Sequence, residues 1–290
     1  MHVRVAGLTI QLTCDEAALQ GLRVAPSRAY TPFLVPASPA DVVLTAEARD
    51  LSGESVGECL FDSGGPWQLH RDRAGFAFRF LTPALGPTPY KTANLKQDFS
   101  AGRISLHHPF FAGRAPVDPL EYPLDELLII SLLAQGRGIE IHGCGVVHEG
   151  KGYLFAGQSG AGKSTIARLW MDEHDALVLS DDRVILRGDG GRFWIHGTPW
   201  HGEAPLASPG CAPLAAVLFL RQHDQNGITP LRPADAVARL VAASFPPFYD
   251  REALSFSLTF LESVVARTPS VEFCFAPTKA AVAAVTSALF

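Results

Sequence analysis

YLFAGQSGAGKSTIARLWMD, residues 153–172, decides the fold. Its centre, Gly157-Gln158-Ser159-Gly160-Ala161-Gly162-Lys163-Ser164, fits G-x-x-x-x-G-K-[ST] in full, and Thr165 follows. The apolar run Tyr153–Ala156 predicts a short buried strand leading into the loop, and Thr165–Asp172 predicts the helix that leaves it. Strand, glycine loop and helix in that order are what a phosphate cradle needs. Backbone N–H groups must wrap the phosphate oxygens closely, and side chains at the glycines would block the approach. The following helix aims its free N–H groups and its dipole at the anion. Residues 157–165 are therefore the predicted nucleotide site. Lys163 is placed to reach the β- and γ-phosphates and Ser164 to reach Mg²⁺.

Outward from the loop, strands and helices mix. Upstream, Ile139–Cys144 and Gly145–His148 read as strands, followed by an EGKG turn. Downstream, ALVLS (176–180) is an apolar strand ending in Asp181-Asp182, and Val184–Arg187 with Arg192–His196 flanks Gly188–Gly191 as a hairpin. A strand at Ala215–Leu220, helices at Pro233–Ser244 and Glu252–Ala266, a strand at Val271–Ala276 and a helix at Thr278–Leu289 complete an α/β half. Before it, PLDELLIISLLAQ (123–135) predicts a buried helix, with Asp125 and Glu126 in the first turn where the dipole favours them.

Gly113–Pro119 is rich in Gly and Pro and is the predicted boundary between domains 1–118 and 119–290. The first of these reads as β-rich. Val3–Leu12 alternates, a short helix is expected at Asp15–Leu22, and strands are expected at Asp41–Ala48, Glu58–Asp62, Trp67–His70 and Phe76–Phe80. That pattern predicts an antiparallel sheet, so the whole chain is predicted α/β (α+β overall).

Asp181 lies 18 residues after Lys163 at the end of an apolar strand, where a metal ligand or a base belongs. Two adjacent carboxylates allow a division of labour. One holds the metal with Ser164 and the other takes a proton; Asp181 is favoured as the proton acceptor and Asp182 as the metal ligand, and the sequence leaves that assignment open. The alternative is a turn in which an Asp merely caps the next segment.

With a formal net charge of −5 and no basic run, nucleic acid is disfavoured as a partner. No apolar stretch reaches the ~18–20 residues of a membrane span, and the first residues lack a secretory pattern, so a cytoplasmic chain without a membrane partner is expected. The five cysteines are scattered and form no CxxC pair, which argues against a zinc site or a disulfide frame. A homo-oligomer is left open.

The stretch from Ile139 to His196, with IHGCGVV, GQSGAGKST and LVLSDD, resembles the catalytic domain of the HPr kinase/phosphorylase family and its HPr-kinase-like relatives, a fold related to phosphoenolpyruvate carboxykinase. The resemblance implies a catalytic set of His142, Lys163 and Asp181, with His142-Gly143 standing where the family carries a His-Gly pair. It departs at Thr165, where HPr kinases have Glu, and at GTPWHGE (197–203), which replaces the family's Glu-x-Arg-Gly-x-Gly and looks like uncharacterised members, some similar to kinases of ribosomally made peptides. The implied activity is transfer of the γ-phosphoryl group of ATP, with Mg²⁺, to a hydroxyl of a protein or peptide, serine foremost. A small-molecule phosphotransferase, a nucleotide-dependent binding module and a carboxykinase-like enzyme are the alternatives.

Other candidates are weaker. His142 on a strand equally suits a core histidine. His196, Trp200, His201 and Glu203 form a polar-aromatic cluster that would clamp a base or an acceptor, or simply build a rigid loop. Arg183, Arg187 and Arg221 would neutralise phosphate or lie solvated at strand edges. Phe245–Phe248 (FPPF) would pack between helices or form a partner surface, and His107-His108 lacks carboxylates nearby.

Overall fold

A computed structural model describes residues 1–204 and 206–289. The fold is α/β, and the chain divides into two compact units, Met1–Ser131 and Leu132–Phe290. This division falls later than the Gly/Pro-rich stretch at 113–119. Residues 118–125 are tied to the first unit by polar contacts: Tyr30 Oη donates to Asp125 Oδ2 (2.5 Å), and the fully buried Lys91 Nζ donates to Glu121 Oε1 (3.2 Å).

The first unit is an eight-stranded sheet. Its strands are β1 (His2–Val5), β2 (Leu8–Cys14), β3 (Val42–Arg49), β4 (Glu58–Asp62), β5 (Trp67–Arg71), β6 (Gly75–Phe80), β7 (Lys91–Lys96) and β8 (Ala101–His107), in the order β1-β2-β3-β8-β7-β6-β5-β4. Alternation sets its core: along β3, Val42, Leu44, Ala46 and Ala48 are buried and the residues between them less so. Three features depart from the sequence reading. Val3–Leu12 is not one strand, because Ala6 and Gly7 turn with φ of 49° and 78°, the two positive values of a tight hairpin whose twist suits its strands. The helix expected at Asp15–Leu22 is a series of turns. The sheet is also not wholly antiparallel, since β2 pairs β3 and β3 pairs β8 in parallel. The long excursion from Asp15 to Asp41 lets β3 enter in the direction of β2, which a tight turn forbids.

After the single turn α1 (His108–Phe111) comes α2 (Leu124–Leu133), where the division between units falls. The second unit contains β9 (Ile139–His148), β10 (Lys151–Ala156), α3 (Lys163–Met171), β11 (Ala176–Ser180), β12 (Arg183–Asp189), β13 (Arg192–Gly197), β14 (Cys211–Gln222), β15 (Gly227–Pro230), α4 (Pro233–Ala242), α5 (Arg251–Arg267), β16 (Ser270–Phe275) and α6 (Ala280–Leu289). Two long strands change partners along their length. The first residues of β9 pair β12, and its last residues pair β10 and β11. β14 pairs β13 at its start, then β10 and β16 in parallel. The pairings β10-β9-β12-β13-β14-β10 therefore close a ring.

Alternation along β10 and β14 feeds two cores. Tyr153, Phe155, Leu218 and Leu220 pack with Ile166, Trp170 and Val285 of α3 and α6. Leu154, Ala156, Val217 and Phe219 pack with Ala236, Leu240, Leu261 and Val264 of α4 and α5. Burial of the larger apolar side chains on both faces, at ~1.5–3 kcal/mol each, anchors β10 between the two cores up to the loop. No helix among the described residues is long and apolar enough to cross a membrane.

Candidate functional site

The glycine loop leaves β10 at Gly157 and enters α3 at Lys163, with Gly162 as the N-cap residue. Two glycines have left-handed backbone, Gly160 (φ 81°) and Gly162 (φ 103°). At Gly162 space also demands glycine: an added Cβ would sit 2.5 Å from Phe275 Cζ. Lys163 is buried and folds back over the loop, its Nζ donating to the carbonyls of Gly157 (2.9 Å) and Gln158 (3.0 Å). Burial pulls its pKa below the usual lysine value, against the attraction of Asp182.

Ser164 and Thr165 lie in the first turn of α3. Ser164 Oγ donates to Asp181 Oδ2 at 3.0 Å. Of the two acids, whose division of roles the sequence leaves open, it is Asp181 that meets Ser164. The reason is local: β11 ends at Ser180, and the bend at 181–182 sends successive side chains to different neighbours. Asp181 is fully buried and clamped by backbone. Gly202 N donates to its Oδ1 (2.8 Å) and Ala204 N to its Oδ2 (3.0 Å). Gly202 is tight against that carboxylate, an added Cβ lying 3.0 Å from Asp181 Oδ2. The 196–204 segment thus acts through its amides, which no side-chain motif displays. Its side chains disperse: Trp200 is buried, His201 is exposed, and His196 is driven down to about pKa 4 by burial and by the charge of Arg187.

Asp182 faces a different set. His142 Nδ1 lies 3.1 Å from its Oδ1, and Arg183 Nη1 donates to its Oδ2 at 2.6 Å. Burial pushes this carboxyl up, but its polar and charged neighbours, the Arg183 guanidinium among them, outweigh burial and hold it below the usual carboxylate range. The sheet brings these residues together. His142 and Arg183 are directly opposite across β9 and β12, and Glu140, two residues before His142, shares its face. Glu140 is buried and lies 3.4 Å from Arg183 Nε. Ser180, also buried, fixes the bend: its Oγ accepts from the amides of Asp182 (3.2 Å) and Arg183 (3.1 Å) and donates to Trp200 O (2.8 Å). Neither Ser180 nor Glu140 carries a motif. The sequence reading passes over Glu140, for which period-two alternation from His142 is the available signal.

Arg187 and Arg221 do not join the site: Arg187 Nε donates to Arg137 O (3.2 Å), and Arg221 lies 3.5 Å from Glu272. His107 is structural, its Nδ1 accepting from Leu51 N at 3.0 Å. All five cysteines are free.

A cavity of about 530 Å³ opens beside the loop, lined by residues 157–161, His142, Phe219, Leu220, Gln222, Arg239, Ala242 and Ala243. It is mainly apolar, with the loop's backbone at one end, and its volume falls within the ~300–1,000 Å³ of small-molecule sites.

Among the described residues no group of three or more His, Cys, Asp or Glu could hold a metal alone. An oxygen pair is present. Cis oxygens on an octahedral Mg²⁺ with bonds of about 2.1 Å stand about 3 Å apart, and Ser164 Oγ and Asp181 Oδ2 are 3.0 Å apart. The spacing of that donor pair is compatible with two cis ligands of such an ion.

Searching curated proteins finds no match. Among solved structures, the Hpr(Ser) kinase/phosphatase from Coxiella burnetii aligns over 51% of this chain and 93% of its own, at 9% identity and a TM-score of 0.31. A family profile described as SynChlorMet cassette protein ScmC matches residues 125–249. Over those residues, which hold the glycine loop, both acids and the amides that clamp Asp181, the chain is similar to the ScmC family.

Proposed function

We propose that the second unit is an ATP-dependent kinase that moves the γ-phosphoryl group to a hydroxyl of a protein or peptide, with serine as the acceptor. One contact carries the reading: the hydroxyl that follows the G-x-x-x-x-G-K loop meets a buried carboxylate from the neighbouring strand at 3.0 Å. A loop that bound phosphate for structural reasons alone would have no use for that acid. The protein or peptide acceptor rests on the resemblance of 139–196 to HPr-kinase-like proteins.

In this reading the amides of 157–163 hold the β-phosphate, and Lys163 exchanges its two carbonyl partners for phosphate oxygens. The apolar wall of Phe219, Leu220, Ala242 and Ala243 takes the nucleoside. Ser164 and Asp181 would hold Mg²⁺, which would supply neutralisation of the negative charge on the nucleotide's phosphates. Asp182 takes the acceptor's proton. The roles first expected of the two acids are thus exchanged. Both oxygens of Asp181 are already occupied and the residue is 1% exposed, whereas the Asp182 side chain is 26% exposed and kept anionic by its neighbours. Catalysis is then positioning and charge neutralisation, the two effects a loose phosphoryl-transfer transition state can use.

Calorimetric titration with ATP, with and without Mg²⁺, tests the binding half. The wild-type chain should bind, more tightly with the metal. Lys163→Met should weaken binding about 10–100-fold, the worth of one charge-assisted contact of ~1.5–3 kcal/mol. A wild-type chain that ignores ATP would end the proposal.

A further inference from the structure

Three groups converge on one nitrogen of His142. Its Nδ1 lies 2.9 Å from Arg183 Nη1, 3.1 Å from Asp182 Oδ1 and 3.2 Å from Asp182 O. Only one protonation pattern satisfies the closest of them. A guanidinium has donors and no acceptor, and it does not lose its proton in proteins. Were Nδ1 to carry a hydrogen for Asp182, it would set an N–H against the Arg183 N–H at 2.9 Å. Arg183 Nη1 has two hydrogens, and the two short contacts use both: one goes to Asp182 Oδ2 at 2.6 Å, the other to the Nδ1 lone pair. With Nδ1 unprotonated its lone pair faces two acceptors, Asp182 Oδ1 at 3.1 Å and Asp182 O at 3.2 Å, and the Arg183 cation bonded to both Asp182 and the ring offsets that repulsion, while the carbonyl already accepts from Gly143 N at 3.0 Å.

We infer that Arg183 is a positioning residue, bridging Asp182 and His142 so that the imidazole is held as its neutral Nε2–H tautomer. The ring then offers a hydrogen-bond donor to an anion in the cavity that it lines. That last clause rests on the nucleotide reading; the tautomer does not. The guanidinium is fixed on its other sides. Its Nε lies 3.4 Å from the fully buried Glu140 carboxylate, and its Cζ lies 4.5 Å over the Phe245 ring. Phe245 is itself pinned, because its amide donates to Glu140 O (3.1 Å), and the His142 amide donates to Ala243 O. Segment 243–245 and β9 therefore hold the cation and the imidazole in one register. A lysine would lack the flat fork that reaches both partners from one nitrogen while ion-paired through another.

The test is ¹⁵N NMR of the imidazoles at neutral pH without nucleotide, with His142→Gln identifying the signal. The wild-type spectrum should show an unprotonated Nδ1 and a protonated Nε2 for His142. Arg183→Met should move the ring toward Nδ1–H or an exchanging mixture, and Arg183→Lys should recover part of the wild-type pattern. A wild-type ring with Nδ1 protonated overturns the inference even if the variants fail to fold. So does a folded Arg183→Met with an unchanged ring. In turnover, Arg183→Met should lower kcat about 10–100-fold and leave KM for ATP within about threefold; equal loss in both overturns the positioning role. If the tautomer is as stated but the wild-type chain transfers no phosphate, the kinase reading fails and the positioning of His142 stands.

Discussion

Asp181→Asn isolates the clamp on which the site is built. The change keeps size and removes one acceptor oxygen. With its amide oxygen facing Ala204 N and Ser164 Oγ, the new NH₂ opposes Gly202 N; turned over, it opposes Ala204 N and loses Ser164's donation. The better orientation loses one hydrogen bond to a charged acceptor and gains a donor–donor contact in a position 1% exposed. A bond to a charged group contributes ~1.5–3 kcal/mol, while removing the buried charge returns part of its desolvation cost. We expect a loss of about 2 kcal/mol, which for a unit of this size lowers Tm by about 4–8 °C. Thermal unfolding followed by fluorescence reads the effect, since Trp200 lies in the clamp and its carbonyl accepts from Ser180 Oγ. The variant should also bind ATP with little dependence on Mg²⁺. An unchanged Tm together with unchanged metal dependence would refute both the clamp and the Ser164–Asp181 pairing.

Gly162→Ala should cripple the loop, because φ of 103° disfavours any side chain and the new Cβ would press on Phe275 at 2.5 Å. Titration should show ATP affinity reduced at least about tenfold, with Tm lowered by a few degrees from ~1–2 kcal/mol of backbone strain; wild-type affinity would contradict this. His196 carries a pH dependence. Its folded pKa is driven from 6.5 to about 4 by burial and by Arg187, so folding favours the neutral ring. The stability it contributes is complete above pH 6.5 and falls as pH drops from there toward 4, by of order 3 kcal/mol. Urea titrations across that range should show a flatter slope for His196→Asn, and an unchanged slope would remove His196 as the cause.

Much of the second unit is legible because its signals are local. The loop glycines, the apolar strand before them and the amphipathic helix after them need no knowledge of distant residues, and β11 ends where ALVLS ends. The position of the two acids at the end of ALVLS is legible for the same reason, but which of them meets Ser164 is not. Which of Asp181 and Asp182 meets Ser164 depends on how the chain bends after Ser180, and that bend is set by Trp200 O and by two amides of 202–204. Backbone donors from a remote loop leave no side-chain trace. The Glu140–Arg183–His142 grouping was hidden because it depends on the register between β9 and β12, strands separated in sequence by β10, α3 and β11. In the first unit the turn at Ala6-Gly7 was masked by the apolar residues around it, and the parallel pairing of β2, β3 and β8 arises from a long connection whose path the sequence does not state.

Phosphoryl transfer itself is the decisive observation. The wild-type chain, Asp182→Asn and Asp181→Asn should be incubated with ATP labelled in its terminal phosphate, Mg²⁺ and a panel of serine-bearing peptides, and the peptides weighed by mass spectrometry. The account predicts label on a peptide hydroxyl with the wild-type chain and none with either variant, while Asp182→Asn still binds ATP. Label released only as free phosphate, or transfer undiminished in Asp182→Asn, would contradict it.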